Sequence, residues 1–157
     1  MEHVWATDDL VIAGNPYPGF PILLWDSMES CIPASQFFRH YLFRGVIGSK
    51  RFWPSTGRAL YDFFSFIQAH ELDWCDVDRG EAKSLVAAYR DYCLIACELA
   101  SNTTRQRLHY ICKFYVFAHK EGWVKRLPFA YEERSVRRGR HFLAHIDASG
   151  GKAMATM

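Results

Sequence analysis

The chain has 157 residues, half of them hydrophobic, with 19 Lys and Arg against 17 Asp and Glu and a formal net charge of +2. A chain of this size and hydrophobicity can bury a core without disulfides or metal, and so small a net charge argues only weakly for a polyanionic partner. Five cysteines without zinc-type spacing, no signal peptide and no apolar run of about 20 residues predict a cytoplasmic protein with reduced thiols and no cofactor or metal.

The first 32 residues contain two short apolar runs. These runs, residues 10–12 and 22–25, are separated by turn formers that include Gly14 and Pro18. The runs could pair as a hairpin, but the prolines limit them to edge-type or irregular strands. We therefore interpret residues 1–32 as an extended, hairpin-like N-terminal arm.

Helical periodicity begins next, and the sequence predicts four main helices. The first starts at Pro33, a residue suited to a first helical turn, and ends at Gly45. The second begins near Trp53, because Pro54 is tolerated only in a first turn. Its apolar stripe has the i, i+3, i+4, i+7 spacing of a helix that buries one face. That stripe consists of Leu60, Phe63, Phe64 and Ile67.

The third and fourth helices follow an acidic stretch. The third is predicted to start with Asp78 as N-cap and to run to about Ile95. The fourth begins with Ser101 or Asn102 as its cap and stops before Gly122, a C-terminal signal. Apolar side chains cover most of the fourth helix, so we expect it to be largely buried.

Beyond Pro128 the apolar periodicity fades. Closely spaced arginines follow, and the end of the chain contains Ser149, Gly150 and Gly151, as is typical of a flexible linker. The sequence thus divides into an N-terminal arm at residues 1–32, a helical domain at residues 33–130 and a basic linker at residues 131–157.

Charge is segregated along the chain. Residues 30–61 carry only positive full charges, residues 71–98 are mainly acidic, and residues 105–126 are basic again. This segregation predicts a molecule with one positive side. On the second and fourth helices the cations share a sector with Ser, Asn, Gln or His, a mixture that can hold phosphates and address base edges. The alternative is that both sectors are ordinary solvated surface.

The order of these elements resembles the core-binding domain of tyrosine recombinases, the phage integrase family. The resemblance covers residues 33–128. It rests on SKRFWPST at 49–56, LYDFFSFI at 60–67, SNTTRQRL at 101–108, FYVF at 114–117, EGWV at 121–124 and Pro128. The later segment RHFLAHI at 140–146 resembles the connector that such integrases place before their catalytic domain.

The resemblance implies an all-α, SAM-like bundle of four main helices that grips one side of a DNA duplex. Its implied partners are double-stranded DNA and other recombinase protomers on that DNA, with no membrane and no small-molecule substrate. The family's catalytic Arg, Lys, His and Tyr set lies in a larger C-terminal domain that we do not find here, so we expect DNA binding without enzymatic activity.

The resemblance also implies which residues contact DNA. Arg107 of the fourth helix is not included among them, because on a helical wheel it projects away from the basic sector. The implied DNA contacts are Ser49, Lys50, Arg51 and Arg58 at the second helix, and Asn102, Thr103, Thr104, Arg105, His109 and Lys113 at the fourth.

Other interpretations remain open. A helical protein-interaction module would explain the 16% aromatic content, although it leaves the two basic sectors unexplained. An arm that contacts neighbouring protomers in a recombination synapse is compatible with DNA binding. A metal site is the weakest alternative. Its candidate ligands lack the spacing of a zinc site and are better explained as side chains that fill the apolar core. Those candidates are Cys93, Cys97, His109, Cys112 and His119.

Overall fold

The computed structural model describes residues 1–44, 50–80 and 82–129, together with the backbone of two strands nearer the C-terminus. This part of the chain is mostly helical and contains the four predicted helices. It also contains short paired strands, so the all-α prediction is corrected to a helical fold with a small β component. The helices are α1 (Ile32–Arg44), α2 (Trp53–Ala69), α3 (Leu85–Asp91) and α4 (Ser101–Lys120).

The start of α2 confirms the prediction made from Pro54. A 3-10 turn at Lys50–Phe52 leads into the helix, which begins at Trp53 with the proline in its first turn. A proline is tolerated there because the first amides of a helix have no intrahelical acceptor. The predicted apolar stripe of α2 is buried along its whole length.

The third helix begins later than predicted. Its N-cap is Ser84, whose hydroxyl accepts a hydrogen bond from the Ala87 amide at 3.1 Å. Asp78 is not a cap, and it forms a salt bridge with Arg126 at 3.1 Å. A π-helical turn at Tyr92–Ala96 extends α3, so the helical segment ends near the predicted position.

The end of α4 confirms the prediction made from Gly122, and its start differs in one detail. Gly122 adopts a φ of +78°, a conformation that glycine reaches without steric cost. At the other end Ala100 is the N-cap residue, with no side-chain capping hydrogen bond. The predicted cap at Ser101 or Asn102 is therefore wrong, because both residues already belong to the helix.

The first 24 residues form two small antiparallel ladders. Strand β1 (Glu2–Trp5) pairs with β4 (Pro21–Leu24), and within that loop β2 (Val11–Ile12) pairs with β3 (Asn15–Pro16). Both apolar runs contain strands, but the predicted pairing of one run with the other is wrong, because each pairs with a different segment. The segment is also no separate arm. Phe20 and Leu23 are buried with the helical side chains, so this segment completes the core.

The β1–β4 ladder lies close against α2 at Gly57. A Cβ atom at this position would lie 2.6 Å from the Pro21 Cβ and 3.0 Å from the His3 Nε2. Only glycine permits so close an approach of strand to helix. The His3 ring also stacks on Tyr61 of α2 at 5.5 Å between centroids, which fixes the ladder along the helix.

Aromatic rings fill the core where the helices meet. Phe114 of α4 contacts Phe37 of α1 and Phe64 of α2 edge-to-face, with ring centroids 5.6 and 5.4 Å apart. Phe63 of α2 meets Tyr89 of α3 in the same way at 5.4 Å. These contacts make α4 the central helix, which accounts for its predominantly apolar surface.

Two strands lie in the segment predicted to be a flexible linker. Strand β5 (Tyr131–Ser135) pairs antiparallel with β6 (Lys152–Thr156), so these two stretches are ordered as a ladder rather than as a linker. The glycine pair and residues 140–146, which resemble an integrase connector, lie outside the described residues. Among the helices that the structure describes, none has the length and hydropathy needed to cross a membrane.

Candidate nucleic-acid interface

Helix α4 presents one polar stripe to solvent. Its members recur at the three- and four-residue spacing of a single helix face. In the part of the chain that the structure describes, neither Arg105 nor Lys113 takes part in a salt bridge. Both charges are therefore available to an external anion. The exposed stripe consists of Asn102, Arg105, Gln106, His109, Lys113 and Lys120.

More cations lie at and just inside the start of α2. Lys50 and Arg51 are exposed in the 3-10 turn, and the Lys50 ammonium lies 5.6 Å from the centre of the Trp53 ring. The Arg51 guanidinium lies 5.9 Å from the centre of the Phe52 ring, a contact that helps to hold the charge at the surface. Arg58 follows within the helix and is exposed. Ser49, also predicted to contact DNA, lies outside the described residues.

A groove of about 390 Å³ opens between the first turns of α2 and α4. The two helices run in the same general direction, so that the N-terminal part of one lies beside that of the other. The groove brings together Arg58 and Thr103, two predicted DNA contacts from different helices. Its lining residues are Pro54, Ser55, Arg58, Ala59, Thr103, Gln106 and Arg107.

A polar cluster at the edge of this groove joins three helices. Asp62 of α2 accepts hydrogen bonds from Arg107 Nη1 at 2.8 Å and from the Tyr89 hydroxyl at 2.5 Å. The Arg107 and Asp62 side chains are only 20% and 33% exposed, so the pair is shielded from solvent in large part. The cluster fixes the guanidinium of Arg107 at the wall of the groove.

Thr104 corrects the predicted set of DNA contacts. It is 2% exposed, and its hydroxyl has no hydrogen-bond partner in the described structure. Thr104 lies about 200° around the helix from Asn102, on the side that faces the core. A buried hydroxyl cannot reach a duplex, so Thr103 is the only one of these two threonines at the surface.

His109 lies in the middle of the α4 stripe. Partial desolvation lowers the pKa of its imidazole, and the positive charge of Lys113 one turn later lowers it further. The neutral ring has one donor and one acceptor nitrogen at neutral pH. His109 can therefore make a hydrogen bond to a base edge or a phosphate without carrying a charge of its own.

The buried tyrosine hydroxyls near this surface have structural partners. Tyr115 donates to the Trp74 carbonyl oxygen at 2.7 Å, and burial raises its pKa well above the ordinary range. Burial and the hydrogen bond to Asp62 also raise the pKa of Tyr89. A phenol with a raised pKa is a poor nucleophile at neutral pH. These two hydroxyls stabilise the fold.

The thiols divide into buried and accessible groups. Cys31, Cys93 and Cys112 are buried, and burial raises the pKa of Cys31 to about 11 and that of Cys112 to about 12. Such thiols remain protonated and unreactive. Cys75 is partly exposed and Cys97 is exposed. Within the described ranges, no three His, Cys, Asp or Glu side chains are grouped as metal ligands.

Arg107 lies off the exposed stripe of α4, as its position on the helical wheel predicts, but its place beside α2 was not predicted. On the helical wheel it points about 140° away from Asn102, and so it was set apart from the basic sector. Helix α2 runs beside that edge of α4, however, and the groove between them includes Arg107. The available signal was the i, i+4 pair of Thr103 and Arg107, which marks a second polar edge on α4.

Comparisons of the chain with protein-family models, with curated proteins and with solved structures found no match.

Proposed function

We propose that this chain is a DNA-binding domain of the core-binding type found in tyrosine recombinases. In this proposal the helices form a SAM-like bundle that holds one side of a recombination-site duplex, beside other protomers on the same DNA. The domain binds and positions the DNA, and bond cleavage belongs to a catalytic domain elsewhere. The observation that carries the proposal is the polar stripe of α4, whose cations Arg105 and Lys113 form no salt bridge in the described structure. Exposed Arg58 of α2 lines one groove with Gln106 of that stripe.

The composition of this surface supports a nucleic acid over other anions. The stripe combines Arg105 and Lys113 with Asn102, Gln106 and His109, all exposed on one face. Cations supply the sequence-independent attraction to phosphates, whereas amide and imidazole groups can pair with base edges. A plain solvated helix face has no need for this combination at regular spacing.

The shape of the surface is also compatible with a duplex. The major groove of B-DNA is about 12 Å wide and admits one α-helix. Helix α4 has 20 residues and exposes its polar stripe along much of its length. In the proposal, Lys50 and Arg51, which are exposed in the 3-10 turn that precedes α2, contact the flanking phosphates.

A protein-interaction module is the second candidate, and one observation favours it. Leu94 and Ile95 in the π-helical turn are 39% and 76% exposed. Apolar side chains in this position could receive a partner protein. They do not account for the cations on α2 and α4, so we place this surface second.

The test compares two variants with the same change in net charge. The first replaces Arg58, Arg105 and Lys113 with Ala, and the matched control replaces Arg39, Lys83 and Lys125, which are exposed cations elsewhere. Fluorescence anisotropy of a labelled 30-base-pair duplex is measured at several salt concentrations. We expect the first variant to lose affinity and to reduce the salt slope by about 0.9 per lost phosphate contact. The control variant should retain most of its affinity for the duplex and most of the salt slope.

Equal losses in the two variants would show that only net charge matters and would contradict the proposed interface. Absence of binding by the folded wild-type chain at low salt would overturn DNA binding itself. The Leu94 and Ile95 surface would then be tested with Leu94→Ser and Ile95→Ser variants in a protein-association assay.

A further inference from the structure

We propose that the groove between α2 and α4 is a binding site for a single phosphate diester, with Arg58 and Arg107 as its two cations. This inference rests on the proposed DNA-binding function and names the group of the duplex that the groove holds. It adds Ser55 and Arg107 to the interface and assigns Asp62 a positioning role.

The walls of the groove supply donors from both helices. Arg58 and Ser55 come from α2, and Thr103, Gln106 and Arg107 come from α4. Two guanidiniums, two hydroxyls and one amide can all donate to phosphate oxygens. No carboxylate is among the residues that line the groove. An anion placed there would meet donors on two sides.

Asp62 holds Arg107 in place and neutralises its charge, so Arg107 offers hydrogen-bond donors while Arg58 supplies the net positive charge of the site. Its Oδ2 accepts from Arg107 Nη1 and from the Tyr89 hydroxyl, so the carboxylate is engaged from two directions. A guanidinium has five N–H donors, and this contact uses one of them. Arg107 thus keeps donors for the groove, while Arg58 adds a charge that has no salt-bridge partner in the described structure.

The residue types that line the groove, rather than its size, favour a polar ligand. Sites for drug-sized molecules usually span about 300 to 1,000 Å³ and are lined mainly by apolar groups. This groove, at about 390 Å³, lies within that range, but five of its seven lining residues carry a polar or cationic group. A phosphate diester carries one negative charge and two free oxygens, and these oxygens can accept hydrogen bonds from the arginines of both helices.

The direct test uses dimethyl phosphate as a probe of the diester. Amide and arginine Nε signals of the ¹⁵N-labelled chain are followed by NMR while dimethyl phosphate replaces chloride at constant ionic strength. We expect saturable shifts at Ser55, Arg58, Thr103 and Arg107, and no saturable shift at Arg39 on α1. Signals that keep the positions they have in chloride would overturn the site. Binding of inorganic phosphate without binding of the diester would overturn the assignment to a diester.

Variants test the two cations and the positioning residue. Arg58→Gln removes an exposed charge and should weaken the probe about tenfold, as expected for the loss of one charge-assisted hydrogen bond. Asp62→Ala should abolish the response of the Arg107 Nε signal, whereas Asp62→Asn, which still offers an oxygen acceptor, should restore it. A purely structural Asp62 would leave that response unchanged in any folded variant. If Asp62→Ala does not fold, Arg58→Gln and Arg39→Gln still decide the question.

This experiment separates the inference from the proposed function. Unchanged probe binding in Arg58→Gln, with duplex binding by the wild-type chain intact, would overturn the phosphate site and leave DNA binding standing. Saturable probe binding by a chain that binds no duplex would support the phosphate site and overturn the DNA proposal.

Discussion

Arg107 of α4 donates a hydrogen bond to Asp62 of α2 at 2.8 Å, and this contact links the two helices that carry the candidate interface. Tyr89 of α3 donates to the same carboxylate oxygen. One side chain therefore connects three helices. The contact is a structural link and, in our proposal, also orients a cation toward DNA.

Asp62→Ala is expected to destabilise the chain by about 1 to 3 kcal/mol, because it leaves the Tyr89 hydroxyl and the Arg107 guanidinium without their acceptor. The free energy of unfolding in urea is the measurement. Asp91→Ala is the matched control, since its salt bridge with Arg90 is between neighbouring residues at an exposed site and should contribute little. Equal effects of the two substitutions would contradict the role of Asp62.

Thr104→Val is expected to stabilise the chain, on the order of 1 kcal/mol, because it replaces an unpartnered buried hydroxyl with a methyl group of similar size. The same substitution should leave DNA affinity unchanged. Thr103→Val is its matched control at the groove, and we expect it to weaken DNA binding with little effect on stability. Unfolding in urea and duplex titration give the two readouts. A loss of DNA affinity in folded Thr104→Val would restore that residue to the interface.

His3 predicts a pH dependence of stability. Burial lowers the pKa of its imidazole, and the nearby Arg58 charge lowers it further, from an ordinary value of 6.5. The unfolded chain therefore binds a proton more readily, so stability is complete above pH 6.5 and falls as the pH drops below that value. The free energy of unfolding is measured from pH 7.5 to 5.

His3→Gln is expected to make this dependence shallower, because it removes a titrating group between the hairpin and α2. The dependence should not vanish, since desolvation and Lys113 also lower the pKa of His109, with the same sign. An unchanged slope in folded His3→Gln would show that His3 contributes nothing to the linkage.

The sequence predicted the helices well where burial alone determines the pattern. The stripe formed by Leu60, Phe63, Phe64 and Ile67 is buried as predicted, because a 3.6-residue period records which side of a helix faces the core. The end of α4 at Gly122 was also predictable, since a positive φ at a helix end favours glycine.

The failures have tertiary causes. Asp78 and Ser84 are both plausible caps by residue type, and only the folded chain shows Asp78 paired with Arg126. The two apolar runs of residues 1–32 were predictable as strands, but their pairing partners and their place in the core were not, because the approach at Gly57 depends on where α2 lies.

The candidate site was predictable as a stripe but not as a groove. Arg105, His109 and Lys113 follow from the helical wheel, and the structure has them exposed. Thr104 was included through the family resemblance although the wheel directs it toward the core, and the wheel was the better guide. Arg107 depends on the position of the neighbouring helix, which periodicity within one helix does not reveal.

The most direct test of DNA binding through α2 and α4 is amide chemical-shift mapping of the ¹⁵N-labelled chain with an unlabelled duplex at low salt. We predict shifts concentrated at Lys50, Arg51, Arg58 and the polar stripe of α4, with little change in the π-helical turn at Tyr92–Ala96. Shifts confined to that turn and to α1, or no shifts from a folded chain, would contradict the proposed function.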